Sequence, residues 1–401
     1  MKRKYLIVGS IAFFNYFARA QPTDSTSQIV KKTEIELVYN HYIQNGNNSA
    51  VTGGQGTEAL TVYGPAINLK RNFKKNTYSL NMGADVITSA STDNIDYVVS
   101  SASLVDTRSY LTAGIERPVN HKNFSLHGGV GFSIESDYLS IGSKIGLFRE
   151  SLDKMSTISL DFQMYNDDLR WGRLNPDEWR PVKLIYPSDL QNTEWFDNYR
   201  RNSYNLKFGW TQILNQRNIL GFFPDFTVQT GLLSTPFHRI IFTDNSMAVE
   251  KLPGVRSKAA LTMKLNTFVA GNIILKNSLE GYTDSFGIHA YALENETAVK
   301  ISPVFTIMPS LRFYSQSASL YFAPYGKHDS NEKYFTSDYD LSKIQTYQAG
   351  IAFKYYPYHF IRKNLLFKGV TFRYSYYLRS NNLYAHFFSL ALQSDWVDKS
   401  Y

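Results

Sequence analysis

The chain of 401 residues contains no cysteine, so no disulfide can hold it together. This argues against a small extracellular domain stapled by disulfides. No apolar run after Phe17 is long enough for a transmembrane helix, and the mean hydropathy is negative, at −0.30. No basic run is longer than 71–75, which argues against nucleic acid as a partner. There is also no repeat of about 40 to 50 residues, as a β-propeller would require.

The N-terminal twenty residues have the parts of a secretory signal peptide. Residues 2–4 are Lys-Arg-Lys, an apolar run follows over 5–17, and Ala-Arg-Ala stands at 18–20. The apolar run is too short to cross a bilayer as a helix. We therefore predict a signal peptide over 1–20, a periplasmic extension over 21–32 and one barrel domain over 33–401. Without the four basic residues of the signal peptide, the formal charge of +8 falls to +4.

Apolar and polar side chains alternate in segment after segment of the chain. Ile158, Leu160 and Phe162, for example, interleave with Ser159 and Asp161. Only an extended strand sorts such residues onto two faces, one apolar and one polar. The pattern predicts about sixteen strands, at 33–42, 58–70, 76–91, 108–118, 122–133, 139–149, 154–165, 201–213, 217–232, 256–268, 271–283, 287–300, 304–318, 344–356, 365–378 and 384–396.

The connections between the predicted strands are mostly short and long in turn. The long ones lie at 44–57, 92–107, 166–200, 234–255 and 319–342, while 134–138, 284–286 and 379–383 on the same side are short. A soluble sandwich or jelly roll also alternates, but export and long loops at one end are typical of an outer-membrane barrel. We predict an all-β fold: a closed antiparallel transmembrane β-barrel of about 16 strands, within about 14 to 18, with short periplasmic turns and long external loops.

The aromatic content and the last strand support a location in the bacterial outer membrane. Aromatic residues make up 15% of the chain, with 29 Tyr and 27 Phe, and tyrosine favours membrane–water interfaces. The segment 386–396 alternates and reaches Trp396, which resembles the C-terminal strand that the barrel-assembly machinery recognises. Either Trp396 or Tyr401 would be the signal residue. The predicted partners are therefore outer-membrane lipid and this machinery.

Five stretches carry a resemblance to a known family: 49–63 (SAVTGGQGTEALTVY), 98–108 (VVSSASLVDTR), 233–239 (LSTPFHR), 321–342 (YFAPYGKHDSNEKYFTSDYDLS) and 379–386 (RSNNLYAH). With these stretches in order, the chain resembles a domain-of-unknown-function family of Gram-negative outer-membrane β-barrel proteins with no assigned activity. The resemblance implies an architecture and not an activity. It also implies gene neighbours that include a flavin transferase and a small lipoprotein, and hence a lipoprotein partner in a periplasmic redox or cofactor-handling system.

Charged and ionisable residues are concentrated in or beside the predicted external loops. Two interpretations stay open: they pair with one another to fix the loops, or they form a solute or ion site at a constriction. Asp338 and Asp340 lie on one side of an extended segment, but two carboxylates fall short of the six to eight oxygens of calcium, so we predict no metal. The loop candidates are Asp106, Arg108, His238, Arg239, His328, Asp338, Asp340 and Arg379.

A second set of charged residues occupies the polar, inward positions of the predicted strands. In a wide barrel such residues line water, and in a closed one they form ion-pair ladders across the lumen. The candidates for lining the lumen are Asp85, Asp161, Lys207, Lys264, Arg312, Lys354 and Arg373.

The sequence predicts neither an enzyme nor a cofactor. A catalytic nucleophile, base and acid are recognised by geometry and not by their order in the chain, and no segment resembles a known barrel hydrolase. We expect a channel or the membrane part of an export or redox assembly. The alternative is a plugged barrel that serves as a binding or assembly platform for a surface or periplasmic partner.

Overall fold

The computed structural model describes residues 32–89, 105–119, 123–135, 138–169, 199–235 and 238–398, with backbone alone at 89, 105 and 106. The predicted signal peptide and all but the last residue of the predicted extension lie outside the described residues. So do parts of the predicted connections 92–107 and 166–200.

The described residues form nineteen strands and two short 3-10 turns, at Ala50–Thr52 and Tyr339–Leu341. The strands are β1 (Lys32–Asn45), β2 (Leu60–Phe73), β3 (Asn76–Ser89), β4 (Val105–Val119), β5 (Phe124–Glu135), β6 (Tyr138–Glu150), β7 (Ser156–Asp168), β8 (Arg200–Ile213), β9 (Asn218–Gly231), β10 (Arg239–Ile241), β11 (Met247–Val249), β12 (Val255–Ala270), β13 (Ile273–Asp284), β14 (His289–Lys300), β15 (Phe305–Gln316), β16 (Ile344–Tyr355), β17 (His359–Arg362), β18 (Leu365–Arg379) and β19 (Tyr384–Val397). None of the helical turns in these ranges is long and apolar enough to cross a membrane.

Sixteen of these strands close into one antiparallel barrel. Each strand from β1 to β8 pairs with the strand that follows it, and β9 pairs with β12. The ring continues through β13, β14, β15, β16, β18 and β19, and β19 pairs with β1 along the whole of both strands. The strand β17 only extends the edge of β18, and β10 pairs with β11 in a separate hairpin. The predicted closed barrel of about sixteen strands is confirmed.

The alternation in sequence becomes two chemically different faces of the barrel. On β7, Ile158, Leu160 and Phe162 are 41%, 38% and 43% exposed, and they lie on the outward face. Asp161 between them points inward and contacts His127, two strands away on β5. The polar side chains therefore face the lumen, while the apolar ones form the outer surface.

The two ends of the barrel differ in the length of their connections. At one end the strands are joined by short turns such as 74–75, 214–217 and 271–272. At the other end, which we call the loop end, the described strands end and begin again around the long connections 46–59, 90–104, 169–199, 232–254 and 317–343. Both β1 and β19 have their chain ends at the short-turn end. This is the arrangement that the sequence predicts.

Two clusters of buried apolar residues lie at the loop end, apart from a third on the barrel wall that comprises Ala298, Met308 and Ala352. One loop-end cluster comprises Leu233, Leu252, Phe286, Ile288 and Leu341. The other comprises Ile240, Phe242 and Phe335. The residues of these two clusters lie in or next to the connections 232–254, 285–288 and 317–343, so these connections have a packed core of their own.

Met263→Lys should destabilise the folded barrel by about 2–4 kcal/mol, because Met263 is 38% exposed on the outward face at the middle of β12. The neighbouring Thr262→Lys should cost no more than about 1 kcal/mol, because position 262 points inward, directly opposite Glu280 on β13. Urea titration of folding into lipid vesicles measures both. Equal penalties at the two neighbouring positions would show that the faces are assigned wrongly.

Candidate functional site

Three connections at the loop end pack into one body, which we call the cap: its described residues are 46–59, 232–235, 238–254 and 317–343. Backbone bridges join Phe242 to His328 and Lys251 to Phe335, across two different connections. The rings of Phe242 and Phe335 meet edge to face, with centroids 5.1 Å apart. The hairpin β10–β11 is therefore held by the connection 317–343.

The connection 46–59 joins the cap through glycines that admit no side chain. Gly53 has a φ of 79°, and a Cβ there would lie 3.2 Å from Cγ1 of Ile241. A Cβ on Gly54, whose φ is 95°, would lie 2.9 Å from the carbonyl oxygen of Ser337. Both the backbone conformation and the close approach require glycine.

Inward-facing side chains of the barrel hold the cap against the inner wall. Gln316, at the last inward position of β15, donates from Nε2 to the carbonyl oxygens of Asp340 and Ser342, at 3.0 and 2.7 Å. Gln316 faces inward because Leu311, an odd number of residues away, is 66% exposed on the outward face. The 339–341 turn therefore lies inside the barrel wall.

Arg379 at the end of β18 fixes the same turn from the other side. Its Nη1 donates to Oδ1 of Asp340 at 2.7 Å, and its Nη2 donates to the carbonyl oxygen of Tyr339 at 2.9 Å. The Arg379 side chain is only 6% exposed, so the pair is largely shielded from water. The structure thus brings Asp340 and Arg379 together as a contact that holds a loop in place.

The opposite edge of the cap rests on β12, β13 and the connection 285–288. The Phe286 carbonyl accepts hydrogen bonds from the Leu320 amide at 2.9 Å and from the Ser319 hydroxyl at 3.1 Å. The Phe286 ring stacks under the Arg256 guanidinium, whose carbon lies 4.5 Å from the ring centroid. Arg256 also pairs with Asp284 across the two strands. The cap is therefore anchored at several strands of the arc from β12 to β18.

A buried polar group lies where the hairpin β10–β11 meets the connection 317–343. Glu250 is wholly buried, and its Oε2 accepts the Thr235 amide at 2.5 Å, while its Oε1 accepts the Thr336 hydroxyl at 2.5 Å. Nδ1 of His238 lies 3.4 Å from Glu250 Oε1 and 3.9 Å from Asp338 Oδ2. Two of the loop candidates, His238 and Asp338, therefore meet around a residue that the sequence did not single out.

His328 is part of the same body but does not join this group directly. Its Nδ1 lies 2.7 Å from Oε2 of Glu332, and its Nε2 lies 3.0 Å from the carbonyl oxygen of Thr336. The His328 ring is 1% exposed and packs edge-on against Phe335. Both ring nitrogens are engaged within the cap, so His328 fixes the path of the connection.

The tip of the hairpin β10–β11 is an Asp–Ser turn on the surface of the cap. The Ser246 hydroxyl donates to Oδ1 of Asp244 at 2.5 Å, and the Ser246 amide donates to the same oxygen at 2.9 Å. These bonds, with a further one from Ser330, hold the pKa of the Asp244 carboxyl below its ordinary value. The turn is therefore anionic and tied to the connection 317–343.

Two of the loop candidates lie on the barrel wall, and a third opens the hairpin β10–β11. Arg108 lies on β4, where its Nη1 is 4.0 Å from Oδ2 of Asp85 and its Nε donates to Ser133. Asp106 is paired through its backbone with Ile87 on β3, and its side chain lies outside the described residues. Arg239 opens β10 one residue after His238. Asp106 and Arg108 are thus wall positions and not cap positions.

The lumen-lining candidates occupy inward positions of the barrel strands: Asp85, Asp161, Lys207, Lys264, Arg312, Lys354 and Arg373. Asp161 Oδ1 lies 2.6 Å from His127 Nε2 and 3.0 Å from Lys144 Nζ. Lys207 lies 3.4 Å from Asp225. Their contact with a solute stays a prediction.

The strands β12–β18 carry two larger charge groups on the inner wall. Arg312 lies 3.0 Å from Glu280 and 3.6 Å from Glu294. Glu296 is bracketed by Lys276 at 2.7 Å and Arg373 at 2.9 Å. Positive and negative side chains thus lie next to each other along the wall, and they form pairs within the wall itself.

Some of the site residues have a recognisable signal in the sequence, and others have none. Gln316 had a partial signal, since it is an inward residue near the end of the predicted strand 304–318, before a long connection. Glu250 and Thr336 carried no signal, because each is a polar residue in a polar loop. Their partners come from other connections, and only the packed cap brings them together.

Comparison with solved structures finds outer-membrane proteins of low sequence identity. A BenF-like porin from Pseudomonas fluorescens Pf-5 has 12% identity and a TM-score of 0.43, with 91% of this chain and 99% of that chain covered. The outer membrane protein OpdK from Pseudomonas aeruginosa has 8% identity and a TM-score of 0.42, with the same coverages of 91% and 99%. A bacterial polysaccharide outer membrane secretin has 11% identity and a TM-score of 0.43, covering 90% of this chain and 98% of that one.

No curated protein matches the chain by sequence. A family model does, over residues 96–384, and its description is "Protein of unknown function (DUF3570)". The match spans more than half of the chain and includes two of the three connections of the cap, 232–254 and 317–343. The closed sixteen-stranded barrel and the loop stretches agree with this match. The chain therefore belongs to this family, DUF3570.

Proposed function

We propose that this protein is an outer-membrane channel for small hydrophilic solutes, narrowed at its loop end by the cap. The observation that carries the proposal is the attachment of the 339–341 turn to the inner wall by Gln316 and Arg379. A loop fixed to the inside of a wide barrel reduces the cross-section without closing the lumen below it.

The outer surface supports a location in a bilayer. Its exposed side chains are apolar along the middle of the strands, as with Leu206 on β8 and Leu390 on β19, both at least 40% exposed. Aromatic residues such as Tyr384 and Trp396 stand near the strand ends, where interfacial girdles lie in outer-membrane barrels. Density-gradient fractionation tests the location: the protein should sediment with the outer membrane and not with the inner one.

The inner wall supports a water-filled lumen. The side chains of Lys207 and Lys276 are each 40% exposed and that of Arg373 is 41% exposed, although all three point inward. If these charged side chains filled a closed core, they would be removed from water and their exposed fractions would be low. Barrels of 16 to 18 strands are wide enough for an aqueous channel. Water therefore reaches the wall charges.

The pairing of wall charges bears on which solutes would pass. Glu296 lies between two basic residues, and Arg312 lies between two acidic ones. No large field of one sign results from such pairs, so the wall does not strongly attract one class of ion. Neutral and zwitterionic solutes of small size fit this lining best.

Arg379→Ala should raise the single-channel conductance and increase rapid current fluctuations in planar bilayers. Removing the guanidinium breaks its bonds to Asp340 and Tyr339 and frees the turn from the wall. Arg362→Ala is the matched control, because Arg362 is exposed at the short-turn end. If the folded wild-type protein gives no conductance steps at any voltage, the channel is refuted. If Arg379→Ala behaves like Arg362→Ala, the cap is not the constriction.

The double substitution Lys276→Gln and Arg373→Gln should shift the channel toward cation selectivity. Both basic residues contact Glu296, so their removal leaves a carboxylate facing water on the inner wall. The reversal potential in a salt gradient measures the shift. Glu296→Gln should move the reversal potential the opposite way. An unchanged potential in both variants would place these residues outside the conducting path.

A second candidate function is a binding or assembly platform, and the surface of the cap favours it. Leu320 is 76% exposed and Met247 is 51% exposed, each on a connection that otherwise packs tightly. Exposed apolar side chains on an ordered surface are typical of a protein contact. Affinity capture from solubilised outer membranes should then recover a partner in stoichiometric amount, such as a lipoprotein of an export or redox assembly. Leu320→Ser should reduce that recovery. If no partner is recovered, the platform is refuted and the channel remains as the proposed function.

A further inference from the structure

We infer that His238, Glu250 and Asp338 form a binding site for one divalent transition-metal ion, such as Zn²⁺, inside the cap. All three side chains are buried, and each offers one ligand atom. These three atoms lie within 4.8 Å of one another. The site does not depend on whether the barrel conducts.

The hairpin β10–β11 places two of the ligands opposite each other. His238 directly precedes β10 and Glu250 directly follows β11, and the Glu250 amide donates to the His238 carbonyl oxygen at 2.9 Å. In such a cross-strand pair the two side chains lie on the same side of the hairpin. Nδ1 of His238 is 3.4 Å from Oε1 of Glu250.

The third ligand comes from a different connection. Asp338 precedes the 339–341 turn, and its Oδ1 accepts the Asp340 amide at 2.9 Å. Its other oxygen, Oδ2, is 3.9 Å from Nδ1 of His238. The ion would therefore link the hairpin β10–β11 to the connection 317–343.

The distances fit a small cation. Zinc binds histidine nitrogen and carboxylate oxygen at about 2.0–2.2 Å, which puts the ligands of a tetrahedral site about 3.3–3.6 Å apart. The His238–Glu250 distance of 3.4 Å lies in this range, and the His238–Asp338 distance of 3.9 Å exceeds it slightly. A small movement of the Asp338 carboxylate would bring its distance from His238 into this range.

The chemistry of the ligands selects the class of metal. One imidazole and two carboxylates suit zinc and similar first-row ions, whereas calcium and magnesium prefer oxygen ligands alone. The buried group is thus the kind of site in which a bound ion stabilises the fold.

Neighbouring donors orient the ligands in the way that metal sites require. The Thr336 hydroxyl and the Thr235 amide each bind one oxygen of Glu250 at 2.5 Å. The Asp340 amide donates to Oδ1 of Asp338, and this bond restricts rotation of the Asp338 carboxylate. Such outer hydrogen bonds fix the direction of a ligand and raise its affinity for metal.

The site would stiffen the cap where it crosses from one connection to the other. Asp338 and Asp340 flank Tyr339, and Asp340 is the residue that Arg379 holds against the wall. A metal on Asp338 and an arginine on Asp340 would fix the same turn from both sides. Loss of the ion should therefore loosen the cap and leave the barrel closed.

The test uses the full-length protein, folded in detergent, treated with chelator and then dialysed against Zn²⁺, Co²⁺ or Ca²⁺ separately. We expect one Zn²⁺ or one Co²⁺ per chain by mass spectrometry, the visible absorption of four-coordinate Co²⁺, and no stoichiometric Ca²⁺. His238→Ala and Asp338→Asn should each weaken Zn²⁺ binding at least about tenfold. Zn²⁺ should also slow proteolysis within 317–343 in the wild-type protein and not in these variants.

His359→Ala is the control, since His359 is exposed at the short-turn end, which is the opposite end of the barrel from the cap. Heat-dependent migration in detergent gels verifies that each variant is a folded barrel, and Asp338→Asn preserves the size of the side chain. Failure of the folded wild-type protein to bind Zn²⁺ or Co²⁺ would overturn the site. So would wild-type affinity in both His238→Ala and Asp338→Asn.

Discussion

The pairing between the first and the last barrel strand is the constraint on which the rest of the structure depends. β1 and β19 pair from Lys32↔Val397 to Asn45↔Tyr384, although they lie at opposite ends of the chain. Without this ladder both strands would be edges with unpaired backbone groups, which a bilayer does not tolerate. Closure also fixes which side of every strand faces inward, because each register depends on that of its neighbours. The lumen and its lining follow from it.

Once the barrel is closed, its inward residues serve two purposes at different depths. Along the wall they pair with one another, as Glu296 does with Lys276 and Arg373. At the loop end the same inward positions have no partner strand beyond them, and they bind the cap instead. Gln316 and Arg379 both hold the 339–341 turn in this way. The alternation of inward and outward side chains along the strands therefore places both the residues that line the lumen and those that anchor the cap.

The barrel was predictable from sequence because its signal is local and repeated. Leu160 and Asp161 sort onto opposite faces whatever lies elsewhere in the chain, and sixteen such segments reinforce one another. The cap was predictable only in part. The sequence placed His238, Asp338, Asp340 and Arg379 in or beside loops, and it offered pairing within the loops as one interpretation. It did not anticipate the hairpin β10–β11, whose strands have three residues each and no alternation to read.

The sequence by itself determined the strands, their facing and the end of the barrel at which the long connections lie, because each of these depends on neighbours within a few residues. It also supplied the family through stretches that keep their order along the chain. Only the tertiary structure decided that the connections fold inward, that Glu250 joins His238 and Asp338, and that Arg108 belongs to the wall. These contacts join residues 12 to about 100 positions apart, as between His238 and Glu250 or between His238 and Asp338. Such proximity arises from packing between connections, and no local pattern in the chain records it.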